Sequence, residues 1–168
     1  MKVIYFIISI FIFLSCQYSN ETNTVEIKNK YSIDLPAFLN STRDLHPYAS
    51  LQYQNRMQEF YVIVIDDIID DNYSENISID EFSKGLFDDF ISQIRLINKS
   101  EIIKDKINGK EVRKIEINGN IDGNNAFILI LLIEGDDDYY NIMTWTLKNN
   151  KQKYKSTMYE IVNSFNEL

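Results

Sequence analysis

Cysteine, histidine, proline and glycine are all scarce in this sequence: one cysteine, one histidine, two prolines and five glycines in 168 residues. A single cysteine excludes an internal disulfide, so stability must come from packing alone. The lone histidine, His46, leaves a catalytic triad or a histidine-rich metal site without company. Basic residues are outnumbered, 17 Lys and Arg against 25 Asp and Glu, for a formal net charge of -8. That balance argues against nucleic acid, whose phosphates need cationic partners, and against electrostatic adsorption to anionic lipid. Long apolar runs are also missing. The longest, Val3 to Leu14 with Ser9 inside it, reaches roughly 18 Å as a helix, whereas a bilayer core is about 30 Å thick.

What is present begins with that short run. Met1-Lys2 gives a positive start, the apolar segment follows, and Phe13-Leu14-Ser15-Cys16 closes it. This is the order of a secretory signal peptide. With cysteine first after the cut, it resembles a bacterial lipoprotein signal. It departs from that pattern in carrying Phe13 where leucine is preferred, with Leu14 one step late. The alternatives are a permanent membrane anchor, for which the run is short, and a cleaved signal followed by an incidental cysteine. The resemblance implies a diacylglycerol thioether on Cys16 and an acyl chain on the new N-terminus, and two or more chains give stable anchoring. Gln17 in place of aspartate points to the outer membrane of a Gram-negative cell. The expected organisation is a signal peptide over residues 1–15, a lipidated cysteine and polar tether over 16–24, and a single domain over 25–168.

Within the domain, Val25, Ile27, Tyr31, Ile33 and Leu35 alternate and stop at Pro36, predicting a strand over Thr24 to Leu35 with a bend at Asn29-Lys30. Ala49 to Tyr53 and Glu59 to Ile65 predict further strands, the second apolar on both faces and so central. Ile79, Phe82, Leu86, Phe90 and Ile94 recur at helical spacing. Ser78 with Glu81 supplies a capping box at the start of that helix. Asn108-Gly109 predicts a tight hairpin between Ser100 to Ile107 and Lys110 to Ile117. After a loop over Asn118 to Asn125, Ala126 to Ile133 reads as a buried strand. Asp136 to Asp138 makes a turn, Tyr139 to Leu147 another strand, and Lys151 to Leu168 a terminal helix. The fold class is α+β, an antiparallel sheet flanked by helices.

The opening Tyr31-Ser32-Ile33-Asp34-Leu35-Pro36, the mid-chain helix, the hairpin-linked strands, the tyrosine-rich late strand and the closing Ser164-Phe165 resemble the Mog1/PsbP-like superfamily. The resemblance spans about residues 25–168. It implies an α/β/α sandwich and a protein that binds or assists other proteins and is not an enzyme. It carries no functional residue onto this chain, because fold alone does not transfer function.

Chemistry in the residues themselves is sparse. Ser41, Asp44 and His46 lie close in sequence, yet catalytic groups are recognised by geometry, and a small hydrolase ranks last among the readings. Asp66, Asp67, Asp70 and Asp71 offer the hard oxygen ligands calcium takes, without the spacing of an EF-hand loop. No cofactor is expected. Tyr48, Tyr53, Tyr61, Tyr139, Tyr140 and Trp145 are candidates for an exposed aromatic surface, chiefly Tyr139, Tyr140 and Trp145, against the alternative that they pack inside. The expected function is a membrane-anchored, non-catalytic accessory or protein-binding module with an envelope protein as partner. A binder of peptide, glycan or calcium is the alternative.

Overall fold

A computed structural model describes residues 21–66 and 77–168. Among the described residues eleven strands and two α-helices are seen: β1 (Thr22–Ile27), β2 (Tyr31–Pro36), β3 (Asn40–Ser41), β4 (Leu51–Asn55), β5 (Phe60–Ile65), α1 (Ile79–Ser92), β6 (Arg95–Lys99), β7 (Ile103–Ile107), β8 (Lys110–Ile121), β9 (Asn124–Glu134), β10 (Tyr139–Leu147), α2 (Lys151–Asn163) and β11 (Asn166–Glu167). The main antiparallel sheet runs β3-β4-β5-β10-β9-β8-β6, with β7 also paired to β8, and a small sheet runs β1-β2-β11. The predicted α+β class is the observed one. The first strand starts at Thr22, ahead of the expected boundary at Val25.

Period-two alternation divides the long strands between two cores. Phe127, Leu129, Leu131 and Ile133 of β9 join Phe60, Val62, Val64, Tyr154, Met158 and Phe165 under α2 and the small sheet. Ile128, Ile130 and Leu132 join Ile115, Ile117, Ile79 and Phe87 under α1. β9 is buried on both sides, as its unbroken apolar run requires.

The turns follow local chemistry. Asn108 and Gly109 take φ of 49° and 86°, the left-handed pair a two-residue hairpin needs. Asp122 and Gly123 do the same, at 50° and 89°. The expected loop over Asn118 to Asn125 is therefore a second tight hairpin, and β8 extends to Ile121. The bend at Asn29-Lys30 is likewise a full reversal, with Asn29 at φ 60° and β1 paired back on β2.

Two further expectations are corrected. α1 ends at Ser92, and Arg95–Lys99 forms an edge strand with every residue exposed. Its weak apolar pattern conceals it, and the ladder to β8 forms it. Ser100 closes the gap to β7 by donating its N–H to the Glu116 carbonyl and accepting at Oγ from the Glu116 N–H. At the other end, α2 stops at Asn163 and β11 lies against β2. Phe165, expected on a helix, instead stacks on Tyr31 with centroids 5.3 Å apart. Glu167 fastens this tail: its carboxylate accepts from the Asp136 N–H at 3.1 Å and the Tyr140 hydroxyl at 3.0 Å, and pairs with Lys110. Gly135 is required here, since a Cβ would meet Glu167 and come within 2.7 Å of the Asp138 carbonyl.

Candidate functional site

The two faces of the main sheet are covered differently. α2 and β2 pack over β9 and β10, while α1 packs over β8, β9 and β6. Between the edge of α1 and the β5–β10 half of the sheet lies a groove of about 350 Å³. Its floor is formed by cross-strand neighbours, Ile65 beside Asn141, Ile63 and Ile130 beside Met143, and Ile128 beside Trp145. Leu86, Asp89 and Phe90 of α1 and its capping residue Gln93 make one wall, and Leu45 and His46 the end. A shallower depression of about 180 Å³ continues past Trp145 between Glu59 and Asp122.

Local sequence explains the position of each part. The capping box is formed, with Ser78 Oγ accepting from the Glu81 N–H at 3.3 Å and donating to the Glu81 carboxylate at 3.1 Å. Arg113 of β8 holds the same helix start through Asp80. The Leu45–His46 loop is clamped by Gln52, whose Oε1 accepts from both backbone N–H groups, at 2.9 and 3.0 Å, and whose Nε2 donates to the His46 carbonyl at 2.6 Å. Tyr61 and Trp145 face each other across β5 and β10 with centroids 5.1 Å apart and planes 11° from parallel. The Tyr61 hydroxyl donates to Glu59 at 2.7 Å. Burial and that carboxylate push the phenol up to about 12, so it stays a donor at neutral pH.

One polar side chain in the floor has no partner. Asn141 is 5% exposed, and its Oδ1 is buried with no hydrogen bond. An acceptor in that state costs about 1–3 kcal/mol, so the fold gains nothing from it in the state described.

The structure separates the candidate aromatics. Trp145 and Tyr61 line the groove system. Tyr139 is on the same face but packs edge-on against Phe82 at 4.9 Å, with its hydroxyl on Glu134. Tyr140 is not a surface residue. At 3% exposure it sits in the opposite core beside Tyr31 and Phe165, because one residue along a strand changes face. Tyr53 also packs against that opposite core, and Tyr48 is 80% exposed beside His46.

Of the acidic and nucleophilic candidates within the described residues, Ser41 and His46 line one depression of about 340 Å³, while Asp44 and Asp66 are engaged elsewhere. Asp66 is engaged by Lys30 Nζ at 2.6 Å. Burial opposes its charge, but hydrogen bonds from Lys30 and Ser50 prevail and hold the carboxyl below the usual range. Asp67, Asp70, Asp71 and Cys16 lie outside the described residues. Asp44 pairs with Arg56 at 3.3 Å on the surface, and His46 Nδ1 accepts from the Tyr48 N–H at 3.3 Å. Among the described residues no group of three or more His, Cys, Asp or Glu is arranged for a metal, and no helix is long and apolar enough to cross a membrane.

Asn141 and Asp89 escaped sequence reasoning. The signal was present for Asn141, a carboxamide in the middle of an otherwise apolar and hydroxylic strand. For Asp89 there was none, since a helical aspartate ordinarily faces water.

No protein-family model matches the sequence, and no curated protein does. Solved structures do match. Cyanobacterial PsbP (CyanoP) from Synechocystis sp. PCC 6803 superposes with a TM-score of 0.62 at 13% identity, over 89% of this chain and 94% of that one. LpqN, involved in cell envelope biogenesis of Mycobacterium tuberculosis, gives 0.58 at 9% identity, over 88% and 90%. The Ran-binding protein Mog1p of Saccharomyces cerevisiae gives 0.57 at 13%, over 88% and 96%. With identity this low, what the chain shares with these proteins is their architecture: it has the α+β fold of PsbP-like and Mog1-like proteins.

Proposed function

We propose that this protein is a lipid-anchored, non-catalytic binding module of the cell envelope that engages a protein partner through the groove beside α1. The anchor is Cys16, and the address is the outer membrane of a Gram-negative cell. The observation that carries the reading is the groove itself: an apolar floor exposing the Tyr61–Trp145 stack and holding an unpartnered acceptor on Asn141. Binding sites combine mostly apolar walls with a few convergent polar groups in this way. The neighbouring Ran-binding and envelope-biogenesis proteins support it as structural relatives of the same architecture. The acyl chains would hold the module at the membrane, because an acidic surface does not.

The test is site-specific cross-linking of full-length protein in its native membrane. A benzophenone amino acid replaces either Gln93, exposed at the groove wall, or Gln152, exposed on α2. A discrete adduct from position 93 and none from 152 is expected. The Cys16→Ala protein should lose acyl labelling, leave the membrane fraction and form no adduct. Equal adducts from both positions, or acyl labelling that persists without Cys16, would overturn the reading.

A further inference from the structure

The formal charges around the groove are all of one sign. The chain has 17 Lys and Arg, yet the residues lining the groove and its extension include none. Three carboxylates stand there instead: Asp89, Glu59 and Asp122. Several acidic side chains elsewhere are countered by cations, as in Asp66 with Lys30, Asp80 with Lys104 and Arg113, and Glu116 with Lys155. Among the described residues none of the three rim carboxylates forms an ion pair. The Asp89 carboxylate accepts from Gln93 Nε2 at 3.0 Å, and the Glu59 carboxylate from the Tyr61 hydroxyl.

Uncompensated negative charge round an apolar trough attracts cations and rejects anions. The Tyr61–Trp145 stack adds an electron-rich surface on which a guanidinium or ammonium can lie. Asn141 Oδ1, buried and without a donor, requires N–H groups from whatever enters. Apolar floor, acidic rim and bare acceptor together describe one kind of occupant. We infer that the groove receives an arginine- or lysine-bearing apolar peptide segment of the partner, its aliphatic side chains on Met143 and Ile63 and its cation over Trp145. This rests on reading the groove as the binding face.

Trp145 is the sole tryptophan, so its fluorescence reports occupancy directly. Full-length protein in phosphatidylcholine vesicles is titrated with an eight-residue alternating leucine–arginine peptide and with its leucine–glutamate counterpart. A saturable change with the basic peptide, at an affinity at least tenfold above that for the acidic one, is expected. Asn141→Leu keeps the net charge and should weaken binding fivefold or more while the melting temperature rises. Neutralising the rim with Glu59→Gln, Asp89→Asn and Asp122→Asn should abolish the preference for the basic peptide. Neutralising Glu26, Glu101 and Asp137, exposed elsewhere, should preserve it.

Equal affinity for both peptides, no response of Trp145, or loss of preference in both triple variants would overturn the inference. So would 4-phenylbutylammonium binding as tightly as the peptide, which identifies a small-cation site. Cross-links at position 93 without peptide binding would refute only the ligand class. A peptide response without cross-links at position 93 would refute the proposed partner interaction.

Discussion

The two faces of the main sheet use the same strands and reach opposite ends. Under α2, Tyr31, Phe60, Tyr154, Met158 and Phe165 are 0–2% exposed. Polar tips there are paired: Tyr31 with Ser50, Tyr154 with Gln58, Tyr159 with Glu116, Tyr140 with Glu167. Under α1, Phe82, Leu86, Phe90, Met143 and Trp145 remain partly exposed, and Asn141 has no partner for its Oδ1. The first face is built for stability. The second leaves apolar surface and a polar acceptor uncovered, the kind of local inconsistency that folds carry at functional sites.

The largest effect that separates them is truncation of anchors. Phe165→Ala should cost about 3–5 kcal/mol, the usual range for a buried phenylalanine, read as the denaturant midpoint. Met143→Ala on the open face should cost about 1 kcal/mol, since much of its surface stays wet in the fold. Equal losses would erase the distinction between the faces.

Acid should attack the closed face first. Asp66 and Glu116 point to that side, and both carboxyls lie below their ordinary values: burial raises each, but the Lys30 and Ser50 hydrogen bonds, and those from Lys155 and Tyr159, outweigh it. A carboxyl with a depressed folded value contributes stability above its unfolded value of about 4 and loses it as pH falls through the folded one. The melting temperature should therefore drop below about pH 4, and Asp66→Asn should flatten that limb while lowering stability at neutral pH. An unchanged acid limb in the variant would contradict the assignment.

Smaller effects sharpen the comparison. Ser78→Ala should cost about 1 kcal/mol through the lost cap of α1, loosening the groove wall and leaving the closed core intact. Hydrogen exchange confined to α1 would confirm this. Among the described residues Thr144 is the one orphan on the closed face, fully buried with Oγ1 unpaired. Thr144→Val should raise stability by about 1 kcal/mol, because the apolar replacement removes the unmet hydrogen bond. It should leave Trp145 fluorescence unchanged, unlike a change in the groove.

Much of the architecture was legible because short-range chemistry specifies it. Asn108-Gly109 can hardly do anything but turn, β9 announces its double burial by eight consecutive apolar residues, and Ser78 with Glu81 marks the start of α1. Asp122-Gly123 carried the same turn signal as Asn108-Gly109 but was hidden inside a polar stretch. β6 and β11 had no legible signal at all. A two-residue strand such as Asn166–Glu167 exists only because β2 offers a free edge. The candidate site was legible in part. Trp145 and Tyr61 stood out as aromatics, whereas Tyr140 looked equivalent and proved to be core.

What the sequence by itself determined is therefore local: which segments form the main strands and helices, where the plainest reversals fall, and which side of each long strand is apolar. Only the tertiary structure decided that α1 lies over β8 and β9, leaving β5 and β10 beside a groove. Alternation says which residues share a face and nothing about what lies on that face. That depends on where a helix distant in sequence comes to rest. Its position fixes whether an asparagine on β10 is satisfied or waits for a donor.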